Sequence, residues 1–311
     1  MMYLDEERVR ALLDWKPLID AMESALAAFS SGNVVQPVRS ILTIETNKRY
    51  FGVMPAASDD VMGAKLVSFY PGNEGTGFAT HNGVIVLFNA RTGEPLAAMD
   101  GRLITEMRTA AVSAAATKYL MPEGSRVLAL LGSGVQAHAH VEALSHVAEF
   151  SEIRVWSRTP EHAERFARER GAKAMDAESA VRGADVVVVV TSAREPVLRG
   201  AWLKPGAHVN AVGANRPDWR ELDDEAMAAT VLVDSRAAAA QESGDVILSK
   251  AAIYAEIGEL FGKAVASPPR SATTVFKSLG LAVEDLAAAK LVLKRSEGLT
   301  SVVRSRSTSS P

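Results

Sequence analysis

The chain has 311 residues, 48% hydrophobic and 23% charged, with 34 Lys+Arg against 37 Asp+Glu for a net charge of -3. At about 150 residues per domain, this length predicts two domains or one large one, with a sizeable buried core. The charge balance lacks the basic excess of a nucleic-acid binder. No apolar run of about 18 residues is present to span a membrane, and zero cysteines leave no disulfide framework, thiol nucleophile or thiolate metal site.

The opening MMYLDEERVR has neither the apolar core nor the cleavage site of a secretory signal, so a cytoplasmic protein is expected. The first 30 residues read as helix. Asp5 caps it, Val9, Leu12, Leu13, Leu18, Ile19, Met22, Leu26 and Phe29 recur at helical spacing, and Ser30-Ser31-Gly32-Asn33 stops it. Strand-like runs follow at Val38 to Ile44, Tyr50 to Met54, Ala64 to Tyr70 and Val84 to Phe88, separated by turn signals. They predict a mainly antiparallel sheet. An Ala-rich helix runs from about Leu103 to Leu120 and stops at Pro122-Glu123-Gly124.

From there strands and helices alternate. Strands are predicted at Val127 to Leu131, Ile153 to Trp156, Val186 to Val190, His208 to Val212 and Val231 to Asp234, with helices at Gly134 to Val147 and Glu161 to Arg170. Strands apolar on both faces predict a doubly wound parallel sheet, an α/β fold. The last third, from Ala237, reads as helical with a break at Pro268-Pro269. The Ser/Arg-rich tail from Arg304 to Pro311 reads as disordered. The change of texture places a dinucleotide-binding domain at 121–269. A substrate and dimerisation domain takes 1–120 plus 270–311.

The strongest local signal is Gly132-Ser133-Gly134-Val135-Gln136-Ala137, a G-x-G-x-x-A run between an apolar strand and a helix. Such glycines allow a tight turn and close backbone approach to a pyrophosphate at the helix N-terminus. Without a ligand, the same run is a glycine-rich turn. At the end of the second strand an NAD site usually places an acid for the ribose hydroxyl. Here the sequence reads Trp156-Ser157-Arg158-Thr159. Arg158 can pair with a 2′-phosphate and the two hydroxyls can donate to it, which favours NADPH, with NADH weaker. The alternative is an exposed arginine in an ordinary loop.

Three cations stand among apolar neighbours in the first part: Arg39, Lys65 and Arg108. Arginine suits a substrate carboxylate, and a lysine in apolar company can acquire a lowered pKa and handle a proton. Taken singly, each reads as a surface or salt-bridge residue. His81 reads as a structural hydrogen-bond partner. His138, His140 and His146 read as helix surface, and no metal site is expected.

These motifs resemble the ornithine cyclodeaminase and mu-crystallin family, most closely its ketimine reductase branch. The resemblance runs from about Val34 to Leu291. It is carried by VQPVR at 35–39, KLVSFY at 65–70, MDGRLITEMRTAAVSAAATKYL at 99–120 and LLGSGVQA at 130–137. WSRT at 156–159, NAVGANRPDWRELDDE at 210–225, ESGDVILS at 242–249 and TTVFKSLGLAVED at 273–285 complete it. It implies a homodimer with a Rossmann domain and an active site in the cleft beside it. Arg39, Lys65 and Arg108 then handle the substrate carboxylate and proton, with Arg108 also near the cofactor. The resemblance places Thr80, His81, Gly132, Ser133, Gly134, Val135, Gln136, Ser157, Arg158, Thr159, Thr191 and Val212 at the cofactor, and Asn215, Glu242 and Ser278 at the substrate end.

Cyclodeaminases carry an aspartate where this chain has Asn215, and an acid just before their Met-Pro, where this chain reads Phe51-Gly52-Val53-Met54-Pro55. Asparagine has no basic carboxylate to activate water. The expected activity is therefore reduction of Δ1-pyrroline-2-carboxylate or Δ1-piperideine-2-carboxylate to proline or pipecolate. The rivals are an ornithine cyclodeaminase or alanine-dehydrogenase-like enzyme, and a non-catalytic NADPH-dependent small-molecule binding protein.

Overall fold

The structure is a computed structural model and describes residues 1–46 and 48–307. The chain divides into two compact units. The first comprises Met1–Ala25, Gly32–Arg108 and Leu281–Pro311, and the second Leu26–Ser31 and Thr109–Gly280.

The first elements are β1 (Met2–Leu4), α1 (Glu6–Leu12) and α2 (Trp15–Ser30). Asp5 caps α1, its carboxylate accepting from Arg8 N–H. The single helix expected over the first 30 residues is therefore two, preceded by a strand. Pro17 explains the break: it has no N–H to donate, and its ring clashes with the carbonyl four residues back. Strands β2 (Ser40–Glu45), β3 (Arg49–Ala57), β4 (Val61–Phe69), β5 (His81–Asn89) and β6 (Pro95–Asp100) follow, then helix α3 (Arg102–Leu120). The sheet of the first unit has order β1-β6-β5-β4-β3-β2 and is antiparallel except for β1 beside β6. The sequence reading missed β6, whose Pro-Leu-Ala-Ala core has little intrinsic strand preference.

The second unit holds β7 (Val127–Leu131), α4 (Val135–Leu144), β8 (Glu152–Trp156), α5 (Pro160–Arg170), β9 (Lys173–Ala174), α6 (Ala177–Val181), β10 (Val186–Val189) and β11 (His208–Ala211). It continues with α7 (Asp224–Met227), β12 (Thr230–Val233), α8 (Arg236–Glu242), α9 (Gly244–Ser249), β13 (Ile253–Glu256), α10 (Ile257–Phe261) and β14 (Thr274–Lys277). Its eight strands are all parallel, in the order β13-β12-β14-β11-β10-β7-β8-β9. The α/β reading, with a second mainly antiparallel sheet, holds. Val186 to Val189 are fully buried, as the apolar run required. Each contributes on the order of 1.5–3 kcal/mol relative to exposure.

The last third departs from its helical reading. β13 and β14 are strands, and β14 lies between β11 and β12. Thr274-Val-Phe-Lys277 is a short β-branched and aromatic run that propensity alone assigns to a strand. The last element, α11 (Ala282–Ser307), packs across β3, β4 and β5 of the first unit. It extends into the stretch expected to be disordered from Arg304, whose end, 308–311, lies outside the described residues. No helix among the described residues is long and apolar enough to cross a membrane.

Candidate active site

In the first unit, Lys65 lies mid-strand in β4, paired in register with Met54 of β3 and Ile85 of β5. All three are on the buried face, and Lys65 is 3% exposed. Its Nζ is 2.6 Å from Asp285 Oδ2 and donates to Thr105 Oγ1 at 3.4 Å. Asp285 sits in the first turn of α11, the helix that covers this sheet. Arg108, on α3, donates from Nε to the other Asp285 oxygen at 2.9 Å and from Nη1 to Glu284 at 2.7 Å. The structure thus brings Lys65 and Arg108 together through a carboxylate that sequence reasoning had not singled out.

Burial draws the Lys65 ammonium down from its usual 10.5 to about 8. The Asp285 charge opposes that fall, whereas Arg108 and Arg39 add to it by repulsion. Arg39 is therefore part of the same electrostatic field. Burial also works against Arg108, but Asp285 and Glu284 outweigh it and raise its pKa. Two cations and two carboxylates are buried together, a balance that avoids the penalty of an unpaired interior charge. Thr80 and His81 lie at the start of β5, where His81 stacks on Phe69 at 4.3 Å between ring centroids. Thr80 Oγ1 is 3.2 Å from His81 Nδ1.

In the second unit, the glycine-rich turn joins β7 to α4. Gly132 has a φ of +115°, and a Cβ there would meet Val190 O at 2.6 Å, so only glycine fits. Gly134 caps α4 with no side-chain hydrogen bond, and nothing lies within 4 Å of the place a Cβ would take. The helix N–H groups and the turn backbone thus stay open to an anion, as a pyrophosphate requires. Ser133 and Gln136 are half-buried and Val135 is exposed; Ala137 is fully buried in the helix–sheet packing. Ser157, exposed Arg158 and Thr159 follow β8. Thr159 begins α5 without spending its hydroxyl on the cap. The glycine-rich turn and these side chains are compatible with a nicotinamide dinucleotide, whose pyrophosphate the turn would hold.

Thr191 and Val212 follow β10 and β11, adjacent strands of the sheet. Ser278 follows β14 and is buried, its hydroxyl without a hydrogen-bond partner among the described residues. Asn215 is exposed in the loop after β11, and half-buried Glu242 ends α8. Gly244 N–H donates to Arg216 O, which ties the end of α8 to that loop.

Sequence reasoning also missed a second buried charge cluster. Glu221, Asp245 and Lys277 are all fully buried. Lys277 Nζ lies 3.0 Å from Asp245 Oδ2, and Asp245 Oδ1 accepts from the N–H groups of Glu221 and Leu222. Burial pushes the Glu221 carboxyl up to about 7, against the Lys277 charge and the Thr191 hydrogen bonds. The signal available was position: Lys277 ends the TTVFK strand, and Asp245 lies in the ESGDVILS stretch. Side-chain direction was not legible in either.

His140 corrects another expectation. It is fully buried, not on the helix surface, with Nε2 2.9 Å from Ser113 Oγ and Nδ1 2.7 Å from Gln136 O. It shares the buried face of α4 with Ala137 and Leu144, three and four residues away. Burial pulls its pKa down to about 4. His138 is partly buried against Phe166 and accepts from Arg170 Nε.

The model of the ornithine cyclodeaminase/mu-crystallin family matches residues 1–299. The chain belongs to that family. Within it, the chain is 52% identical to the ketimine reductase mu-crystallin of Mus musculus over 284 residues, 88% of this chain and 90% of that one. It is 34% identical to the Delta(1)-pyrroline-2-carboxylate reductase of Bacillus cereus, covering 95% of this chain and 96% of the relative. Among solved structures, the Delta(1)-pyrroline-2-carboxylate reductase of Thermococcus litoralis, in complex with NADH and L-proline, superposes with a TM-score of 0.90 at 32% identity. That match covers 96% of this chain and 98% of the other. The family membership and the two-sheet architecture agree with the resemblance drawn from the motifs.

Proposed function

We propose that this chain is a nicotinamide-dependent reductase of cyclic ketimine carboxylates, taking Δ1-pyrroline-2-carboxylate or Δ1-piperideine-2-carboxylate to proline or pipecolate, with NADPH preferred. The observation that carries this reading is Lys65, a buried ammonium with a pKa of about 8 inside a charge-balanced cluster. Its relatives named as ketimine and pyrroline-2-carboxylate reductases support the reaction class.

The chemistry follows from the residues. At neutral pH Lys65 is charged and holds a proton on Nζ. Donation to the imine nitrogen makes an iminium, whose carbon is far more electrophilic. A nicotinamide cofactor, when bound, would supply the hydride; the iminium carbon accepts it, and the ring nitrogen becomes the amine. Asp285 keeps Lys65 oriented and partly offsets the burial that would otherwise discharge it. Asp285 and Glu284 already balance Lys65 and Arg108. Arg39, whose charge also bears on Lys65, is the cation assigned to the substrate carboxylate, with Arg108 holding the cluster in shape. Asn215 gives the loop after β11 no general base, which favours reduction over cyclodeamination.

NADPH preference rests on Arg158, Ser157 and Thr159, with no acid at the end of β8. A homodimer through the first unit is part of the same reading. β2 is an edge strand, and Ile41, Leu42 and Ile44 on it are 49%, 62% and 49% exposed. An uncovered apolar edge is a pairing surface. The NADH-bound and proline-bound relative supports a nicotinamide cofactor and a small imino-acid ligand for this chain.

The test is loss of reduced-cofactor absorbance with each imine, NADPH and NADH run in parallel. Rapid oxidation of NADPH is expected. No turnover with either imine overturns the reading.

A further inference from the structure

The carboxyl ends of β10 and β11 are held in an unusual way. Glu221 Oε1 accepts from Thr191 N at 2.7 Å and from Thr191 Oγ1 at 2.6 Å. Its Oε2 accepts from Gly213 N at 2.6 Å and Ala214 N at 2.9 Å. One carboxylate therefore takes four hydrogen bonds from two loops. The loops also touch directly: a Cβ on Gly213 would lie 2.0 Å from Thr191 O. Behind Glu221, Asp245 fixes its backbone N–H, and Lys277, at the end of β14, pairs with Asp245.

The location gives this brace its meaning. The chain order reverses at β7, with β8 and β9 on one side and β10, β11 and β14 on the other. In an open parallel sheet the ligand crosses the carboxyl ends of the strands at that reversal. The phosphate turn follows β7 and Arg158 follows β8, which places the adenosine half on the β8 side. The nicotinamide half then falls over β10 and β11, whose ends Glu221 ties together.

We propose that Glu221 is a positioning residue for the nicotinamide ring, acting through the backbone of Thr191 and Gly213 and touching neither cofactor nor substrate. It rests on the reading that the chain binds a nicotinamide dinucleotide. Four acceptor contacts need a carboxylate. An amide of the same volume keeps one oxygen but turns an NH2 donor toward N–H groups on one loop, so that loop is released. The rest of the brace, Asp245 on the backbone, is unchanged.

The experiment uses the full chain with Glu221→Gln. Fluorescence of the bound reduced nicotinamide reports ring immobilisation, and its displacement by 2′-phospho-ADP-ribose, which lacks only the nicotinamide ring, reports the rest of the dinucleotide. In the variant, NADPH affinity is expected to fall about 10-fold and the emission anisotropy to drop, as the loss of charge-assisted hydrogen bonds implies. Affinity for 2′-phospho-ADP-ribose stays within about twofold. Equal losses for both ligands would assign Glu221 a general structural role and overturn the proposal, as would unchanged anisotropy in a folded variant. If Glu221→Gln does not fold, Thr191→Val removes one of the two contacts to Oε1, together with the hydrogen bond from Ala193 N to the same hydroxyl. The same pattern is then expected at about threefold, and its absence overturns the proposal. A parent protein that shows no nicotinamide signal breaks the cofactor reading itself, and the proposal with it. A parent that binds normally and a variant that matches it break only the proposal.

Discussion

Two buried charge clusters, one in each unit, use the same ingredients for different ends. Around Lys65, on β4, the partners are side chains on two further elements, α3 and α11, and burial draws the lysine down to about 8. Around Glu221 the partners are mostly backbone N–H groups of adjacent loops. A side-chain cluster can change charge without moving the main chain. A backbone brace fixes the main chain, although burial brings its carboxyl up to about 7 as well. The difference teaches that burial of charge is not one kind of site: one cluster joins side chains of separate elements, and the other joins a carboxylate to the backbone of two loops.

The sharpest way to break the comparison is to remove the proton. Lys65→Met is expected to lower kcat about 10³-fold, at the scale of a general acid, while NADPH binding measured by fluorescence stays near the parent value. A near-normal rate removes Lys65 from catalysis. Next comes the partner. Asp285→Asn leaves Lys65 and Arg108 with one carboxylate fewer, and breaking a buried pair typically costs about 3–5 kcal/mol. Urea unfolding should show that loss, and an unchanged midpoint would mean the pair is solvated in solution. A smaller effect is expected outside both clusters. Arg158→Gln should weaken NADPH binding about 10-fold and leave NADH almost unaffected, since only the 2′-phosphate pairing is lost. Equal effects on both cofactors would remove the NADPH preference from Arg158.

The mildest change is pH, and here rate and stability move in opposite directions. Lys65 is charged below about pH 8, so kcat should fall by half near pH 8 and continue down. Stability behaves otherwise. The folded pKa lies below the unfolded 10.5, so between about 8 and 10.5 the unfolded chain binds more protons and this group's penalty on the fold shrinks as pH rises. Measuring both between pH 7 and 10 separates the two effects, and Lys65→Met should abolish each.

Much of the fold was legible because its signals were local. The valine run of β10, the glycine turn before α4 and the proline stop after α3 each follow from a few adjacent residues. The missed elements were those decided by distant neighbours. β6 has weak intrinsic preference and is made a strand by β5, and β14 belongs to a sheet most of which precedes it by tens of residues. The site divided the same way. Lys65 and Arg108 stood out as cations in apolar company. Asp285 and Glu284 did not, because acids in the first turn of a helix are ordinary, and only packing of α11 on β4 turns them inward. Glu221 was invisible for a similar reason: its contacts depend on a carboxylate reaching back to Thr191, 30 residues earlier.

The place of β14 has a consequence for biosynthesis. It is the last strand in chain order among the described residues, and it separates β11 from β12. A nascent chain that has reached only residue 270 can pair β7 to β11 and β12 to β13, but it must hold two open, largely apolar strand edges apart. Thr274–Lys277 then closes both edges at once. Completion of the sheet is therefore a late, non-local event on the ribosome, and the interval before it is when the growing chain is most exposed to wrong strand pairing.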